Sequence, residues 1–339
     1  MGKPRSKNPA PVPPCRDYYW ASVKKGGLFY WKKVKARQNL KKLLKTFGVR
    51  PSKRLAQRFL VDRGTIKKII QAAEINLNDT VLEIGPGPGA LTKELVKKSK
   101  KVIAVEKDPR MCQILGKELK DFKNVKIIRG DILNLLNPKS EIRNPKQIPN
   151  SKFQIPKNYK VVANLPFYIT APVIRKFLES KTPPKEMILV VQKEIARRIC
   201  PRPPKLKERR RGKSPNMNLL AVSVQFYAKP EIISYISKKS FWPVPKVDSA
   251  IIKITPINTN QNTNQHKFFK VVKAGFLHPR KQLINNFSEG LKIKKEKIEK
   301  WLLENRVRPE QRAESLSIND WLNLTKTLPN IVVALPDVV

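Results

Sequence analysis

The chain has 339 residues, with 71 Lys and Arg against 26 Asp and Glu, a formal charge of +45, and 40% hydrophobic residues. That length accommodates one α/β domain and a smaller companion, and the charge calls for a polyanionic partner, either nucleic acid or an anionic membrane surface. No apolar run reaches the roughly 18 residues of a membrane span, no apolar signal core opens the chain, and Cys15, Cys112 and Cys200 have neither disulfide nor zinc spacing.

Residues 1–55 carry sixteen Lys and Arg and one acid, Asp17, and five prolines precede Arg16. A disordered basic tail is expected over 1–38. Helical spacing follows at Arg37 to Phe47 and again from Arg54 to Ile75, with Asp62 placed to cap the second half of that stretch. Thr80–Ile84 reads as a buried strand, Leu91–Lys98 as a helix, Lys101–Val105 as a strand, Pro109–Leu119 as a helix and Val125–Arg129 as a third strand. A polar, proline-punctuated insertion spans 137–158. Strands then return at Lys160–Ala163 and Met187–Gln192, and the apolar runs Leu219–Tyr227 and Ser249–Ile254 suit the last strands. Strands alternating with helices imply a mostly parallel α/β sheet covered on both faces. Residues 256–266 contain a direct NTNQ repeat and read as a linker. The segments on either side form a domain over 39–255 and a helical region over 267–330, with the domain boundary in the linker. A second basic cluster lies at 202–213, with seven bases and one acid, and includes Arg209, Arg210 and Arg211.

The chemistry begins at Val81–Leu91, VLEIGPGPGAL, where a strand enters a turn through Gly85, Gly87 and Gly89. Glycine lets backbone approach a ligand, and the helix start offers unpaired N–H groups. A dinucleotide fingerprint needs G-x-G-x-x-G. Here the spacing is G-x-G-x-G, and Glu83 sits two positions before the first glycine, a carboxylate that suits a sulfonium or an amino group better than a diphosphate. Taken alone, such a turn is equally a structural one. Glu106 ends the second strand, seventeen residues past Gly89, where a carboxylate can accept from ribose hydroxyls. Asp131 ends the third, where it can accept from an adenine amino group. The three together point to a nucleoside site at the carboxyl end of the sheet.

The fourth strand ends in Asn164-Leu165-Pro166-Phe167-Tyr168. The exocyclic N6 of adenine is a weak nucleophile because its lone pair is delocalised into the ring. Accepting both N6–H bonds, from the Asn164 side chain and a backbone carbonyl at Leu165 or Pro166, draws that nitrogen toward sp³ geometry. Pro166 sets the turn, and Phe167 supplies a ring for a flipped base.

These motifs together resemble the ribosomal RNA adenine dimethyltransferases, from about Leu40 to Leu324. RLAQRFL at 54–60 matches the family at Gln57 and Phe59, with Ala56 and Arg58 where glycine and asparagine are usual. QKEIARRI at 192–199, FWPVPKVDSAIIKI at 241–254 and FLHPRKQLINNF at 276–287 extend the match. The resemblance implies a Rossmann-like class I methyltransferase sheet with a small C-terminal helical domain that binds RNA. It implies S-adenosylmethionine as cofactor, held by Gln57, Phe59, Leu60, Glu83, Gly85, Gly87, Gly89, Glu106, Lys107, Asp131, Ile132 and Asn164. Asn164, Leu165, Pro166 and Phe167 then form the catalytic base site.

By the same resemblance, two adjacent adenosines near the 3′ end of small-subunit RNA are each methylated twice, within an assembling ribosomal subunit. Arg280, Lys281 and Arg209–Arg211 are candidates for phosphate contacts. N6 would attack the sulfonium methyl in line, with no covalent enzyme intermediate and no metal. A cytoplasmic monomer is expected. Two other readings share the motifs: a large-subunit RNA methyltransferase of the antibiotic-resistance type, and a non-catalytic RNA-binding assembly or transcription factor.

Overall fold

The computed structural model describes residues 35–136, 155–201, 216–257 and 263–329. The expected tail up to residue 34, residues 137–154 of the insertion, the 202–215 stretch with Arg209, Arg210 and Arg211, and residues 258–262 of the linker lie outside them. Residues 35–38, placed by sequence in the tail, form the first turn of a helix, α1, over 35–46.

Seven strands make the main sheet. In chain order its first five are β2 (Thr80–Ile84), β3 (Lys101–Glu106), β4 (Val125–Arg129), β5 (Tyr159–Asn164) and β6 (Glu186–Gln192), all parallel. Then β7 (Ala228–Ile236) and β9 (Ser249–Pro256) run antiparallel, giving the order β4-β3-β2-β5-β6-β9-β7. The central strands are continuous apolar runs because both their faces are buried. In β5, Val161 and Ala163 join one core while Val162 joins the other. Helices α2 (Arg63–Ala72), α3 (Thr92–Val96) and α4 (Pro109–Glu118) follow, with Asp62 capping α2 and Asp108 capping α4. Short α5 (Ile132–Leu135) follows β4, and α6 (Thr170–Leu178) and α7 (Lys193–Ile199) follow β5 and β6.

Two expectations are corrected. The helical stretch expected from Arg54 begins only at Arg63. Before it, β1 (Phe59–Leu60) pairs antiparallel with β8 (Phe241–Trp242), a contact between segments far apart in sequence that local spacing does not encode. Leu219–Tyr227, expected as a strand, is a helix, α8, capped by the Asn218 side chain. Its run is apolar all round because it lies between two cores: Val224 packs with the sheet, and Ala221, Val222 and Phe226 pack with the C-terminal helices. The strand is the next segment, β7, where Pro230 sits on the sheet's edge, a position that tolerates proline.

The C-terminal helices are α9 (Gln265–Gly275), α10 (Leu283–Leu291), α11 (Lys295–Glu304) and α12 (Ile318–Lys326), the last opened by a Ser317–Asp320 capping box. Their core is built on Phe268, Phe287, Trp301 and Trp321 and takes in Met217 and three residues of α8. This second core therefore reaches back across the 256–266 segment.

At the amino end of the sheet, the buried Lys160 Nζ donates to the Ala73 and Glu74 carbonyls at the end of α2, at 2.9 and 3.0 Å. It also pairs with Asp79 at 3.2 Å and Glu186 at 3.0 Å. Lys253 joins Glu186 to Glu74, 2.9 Å from each. This lattice of charges ties helix to sheet on the side away from the glycine turn.

Candidate active site

Beyond the carboxyl ends of β2, β3, β5 and β6 opens a cavity of about 490 Å³. The glycine turn forms one wall. Gly85, Gly87 and Gly89 have φ of +66°, +56° and +85°, which L side chains rarely adopt. A Cβ on Gly87 would meet the Phe59 ring at 3.0 Å, whereas one on Gly85 would meet nothing within 4 Å. The spacing therefore does two jobs: Gly87 packs on Phe59, and Gly85 keeps the backbone open to the cavity.

Two carboxyl groups are buried in this wall. Glu83 is 2% exposed, and its Oε2 is buried without a hydrogen-bond partner. Burial pushes its pKa up to about 8. Glu106 accepts from the Gly87 N–H at 3.0 Å and the Asp108 N–H at 2.8 Å, so it clamps the glycine turn to the start of α4. Burial raises its pKa as well, against the pull of those N–H donors. Asp108 is held below the usual carboxylate range by the Arg110 guanidinium, and its Oδ2 also accepts from Gln57 Nε2 at 3.0 Å. Gln57 Oε1 accepts from the Ser52 N–H at 2.8 Å. Both ends of that amide are thus used in bracing the cavity rim. Asp131 caps α5 through the Leu133 N–H and pairs with Lys107 Nζ at 2.8 Å, which raises the Lys107 pKa. Phe59, Leu60 and Ile132 are buried side chains that also line the cavity.

On the opposite wall, Asn164 Nδ2 donates to the Arg58 carbonyl at 2.8 Å. A carbonyl can only accept, so this bond settles which end of the amide is which and leaves Oδ1 as the acceptor. Because the contact uses the backbone of residue 58, it does not depend on the side chain there. Ala56 nearby takes φ +47°, a left-handed conformation in which glycine would be unstrained. The Pro166 carbonyl accepts from the Ile169 N–H and the Thr170 hydroxyl. Phe167 is 56% exposed and lines the cavity.

The family model for ribosomal RNA adenine dimethylase matches residues 49–330. The chain belongs to that family. Ribosomal RNA small subunit methyltransferase A of Dehalococcoides mccartyi strain CBDB1 is 38% identical over 286 residues, covering 84% of this chain and 90% of the relative. The protein of the same name from Bacillus cereus strain B4264 is 34% identical over 302 residues, covering 88% and 98%. Among solved structures, a dimethyladenosine transferase from Plasmodium falciparum superposes with a TM-score of 0.61 at 28% identity, covering 78% of this chain and 95% of that one. The 23S rRNA methyltransferase ErmE gives 0.61 at 25% identity, with coverage of 80% and 99%. As a member of the dimethylase family the chain is a methyltransferase with the family's Rossmann-like sheet.

The cavity of this family member also takes in residues that sequence reading did not assign to it: Tyr168, Gln192, Lys246 and Ser249. Tyr168 follows the Asn164–Phe167 motif directly and is 50% exposed, and its adjacency was the available signal. Lys246 and Ser249 come from the KVDSA stretch, brought over by the pairing of β9 with β6, which no local pattern announces.

Arg280 and Lys281 are exposed on the loop between α9 and α10, outside the cavity lining. Lys281 pairs with Glu289 at 3.2 Å, and His278 Nε2 lies 2.8 Å from the same carboxylate. The buried Asn286 organises this loop, donating to the Gly275 and His278 carbonyls and accepting from the His278 N–H. Part of the FLHPRKQLINNF motif is therefore scaffold.

Among the described residues no helix is long and apolar enough to cross a membrane.

Proposed function

We propose that this chain dimethylates N6 of two adjacent adenosines near the 3′ end of small-subunit ribosomal RNA, with S-adenosylmethionine as methyl donor. It would act as a cytoplasmic monomer on an assembling subunit. The observation that carries the reading is the Asn164 amide. The Arg58 carbonyl orients it so that its oxygen is left to accept, beside an exposed Phe167 and a carboxylate-walled cavity.

The residues present fit that cofactor. Glu83, with its buried unpaired oxygen, offers a partner for a cationic group, and Gly85 leaves room for it. Glu106 retains acceptor capacity for ribose hydroxyls, and Asp131 for the adenine amino group. S-adenosylmethionine, when bound, supplies an electrophilic methyl group on a sulfonium.

For the target base, Asn164 Oδ1 accepts one N6–H. The Pro166 carbonyl already accepts two hydrogen bonds, so the carbonyl for the second N6–H is that of Leu165. Phe167 stacks on the flipped base, a contact worth on the order of 1–3 kcal/mol, comparable with the few kcal/mol needed to unstack it. After the first transfer and the loss of one proton to solvent, N6 keeps one hydrogen, which one acceptor can hold while the methyl group takes the other position. Arg280 and Lys281, with the 202–213 cluster, would supply backbone contacts that position the RNA.

The test is transfer of labelled methyl from S-adenosylmethionine to purified, unmethylated small subunits, followed by nucleoside analysis. The expected product is N6,N6-dimethyladenosine. Transfer to large-subunit RNA instead would favour the activity named for the ErmE neighbour. Tight RNA binding with no transfer to either would make the chain a binding factor.

A further inference from the structure

The sheet edge next to the cavity carries an aromatic residue that the reaction does not use. Tyr235, on the edge strand β7, is 50% exposed. Lys193 Nζ lies 5.6 Å from its ring centroid and the Arg197 guanidinium carbon 5.9 Å from it. Both cations belong to α7, one turn apart, and both lie over the ring, while half of the residue's surface stays open to solvent. Among the described residues neither forms a salt bridge.

The register places this ring beside the cavity wall, three strands from the strand that carries Asn164. Tyr235 pairs with Ala250 on β9, and the preceding residue of β9, Ser249, pairs with Gln192 at the end of β6. Both Ser249 and Gln192 line the cavity. Adjacent strands are about 4.8 Å apart, so β7 lies about 10 Å from β6, which lines the cavity, and about 14 Å from β5, which carries Asn164. That is within reach of nucleotides flanking a base held in the cavity. Lys238 Nζ donates to the carbonyl of Lys246, another cavity residue, at 3.4 Å, and the Asp248 carboxylate accepts from the Lys238 N–H at 2.9 Å.

We infer that Tyr235, with Lys193 and Arg197, forms a second stacking site that holds a base flanking the target adenosine in single-stranded RNA. The inference rests on the proposed RNA substrate and adds a site to it. A half-exposed ring with cations beside it matches the way single strands are held without sequence reading: bases stack on the aromatic face while cations meet the phosphates. A non-specific charged surface would have no need of the ring.

The experiment uses the full chain and a fluorescently labelled short single-stranded RNA containing two adjacent adenosines, titrated by anisotropy without cofactor. Methyl-transfer kinetics on small subunits run in parallel. Tyr235→Leu should weaken RNA binding about tenfold, the effect of losing one base stack. It should raise KM for the subunit similarly while kcat and S-adenosylhomocysteine affinity stay at wild-type values. Tyr235→Phe should restore both, since stacking needs the ring and not the hydroxyl. Replacing Lys193 and Arg197 together by Gln should flatten the salt dependence of binding.

Wild-type RNA binding by Tyr235→Leu, in a chain that still methylates, overturns the second site and leaves the main reading standing. Equal losses in the Leu and Phe variants also overturn it. A wild-type chain that transfers no methyl, yet loses RNA affinity only in the Leu variant, keeps the stacking site and removes the enzymatic reading.

Discussion

At the amino end of the central strands, Lys160 and Lys253 sit among Asp79, Glu74 and Glu186, with Glu186 bridging the two ammonium groups. At the carboxyl end, Glu83 and Glu106 are just as deeply placed, yet neither has a cationic partner among the described residues. Lys160, Glu186 and Lys253 stand on β5, β6 and β9, and Glu83 and Glu106 on β2 and β3 of the same sheet. Burying a charge is costly unless it is paired, so the matched charges of the amino end serve the fold. At the carboxyl end Glu106 is held by two backbone N–H donors and the Glu83 pKa is pushed up to about 8; on the proposed reading their cationic partner is the cofactor. Buried charge alone would not separate the two ends; the state of its partners does.

Substitutions at the two ends should therefore move different observables. The largest effect belongs to the carboxyl end. Asn164→Ala should lower methyl transfer to small subunits by about a thousandfold, the upper range for losing one preorganised polar contact to the reacting group. Its Tm and its salt-dependent RNA binding should stay near wild type.

At the amino end, Lys160→Met leaves the Asp79 and Glu186 carboxylates and two α2 carbonyls without their ammonium. It should cost about 3 kcal/mol in urea unfolding, as breaking a buried pair does, with S-adenosylmethionine affinity of the folded protein unchanged. A variant that kept its stability but lost cofactor affinity would break the comparison.

Glu83 sharpens it through pH. Its pKa is raised to about 8 in the fold, so the folded protein holds a proton that the unfolded chain releases at the usual carboxylate pKa. The stabilisation is full below that usual range and is lost as pH climbs through about 8. The Tm of the ligand-free protein should fall over that window, and Glu83→Gln should flatten the slope. S-adenosylmethionine binding should tighten with rising pH and release a proton, visible as buffer-dependent heat in calorimetry. Heat independent of buffer would mean that Glu83 does not meet the cation.

The smallest effect lies at the cavity rim. Ala56→Gly should stabilise the protein by about 0.5–1 kcal/mol, the relief of a left-handed alanine less the added freedom of glycine in the unfolded chain. A shift of the urea midpoint checks it.

Much of the parallel sheet was legible because its strands are short apolar runs punctuated by glycine and polar turns. β2 through β6 fall within one residue of their expected bounds at each end. The misreadings share a cause. Leu219–Tyr227 is apolar on every side because two cores enclose it, which erases the period that separates helix from strand. Phe59–Leu60 reads as part of a helix until Phe241–Trp242 arrives to pair with it.

The sequence by itself determined the glycine turn, the acidic strand ends and the Asn164–Phe167 corner, because backbone conformation and strand-end chemistry are local properties written in neighbouring residues. Tertiary structure alone decided what those groups can do. It gave Asn164 its orientation through a carbonyl 106 positions away, spent the Gln57 amide on Ser52 and Asp108, and matched Asp131 with Lys107. It also left one oxygen of the buried Glu83 without a hydrogen-bond partner. The physical reason is that a hydrogen bond or an ion pair depends on distance in space, and the partners come from segments the chain brings together only when it folds.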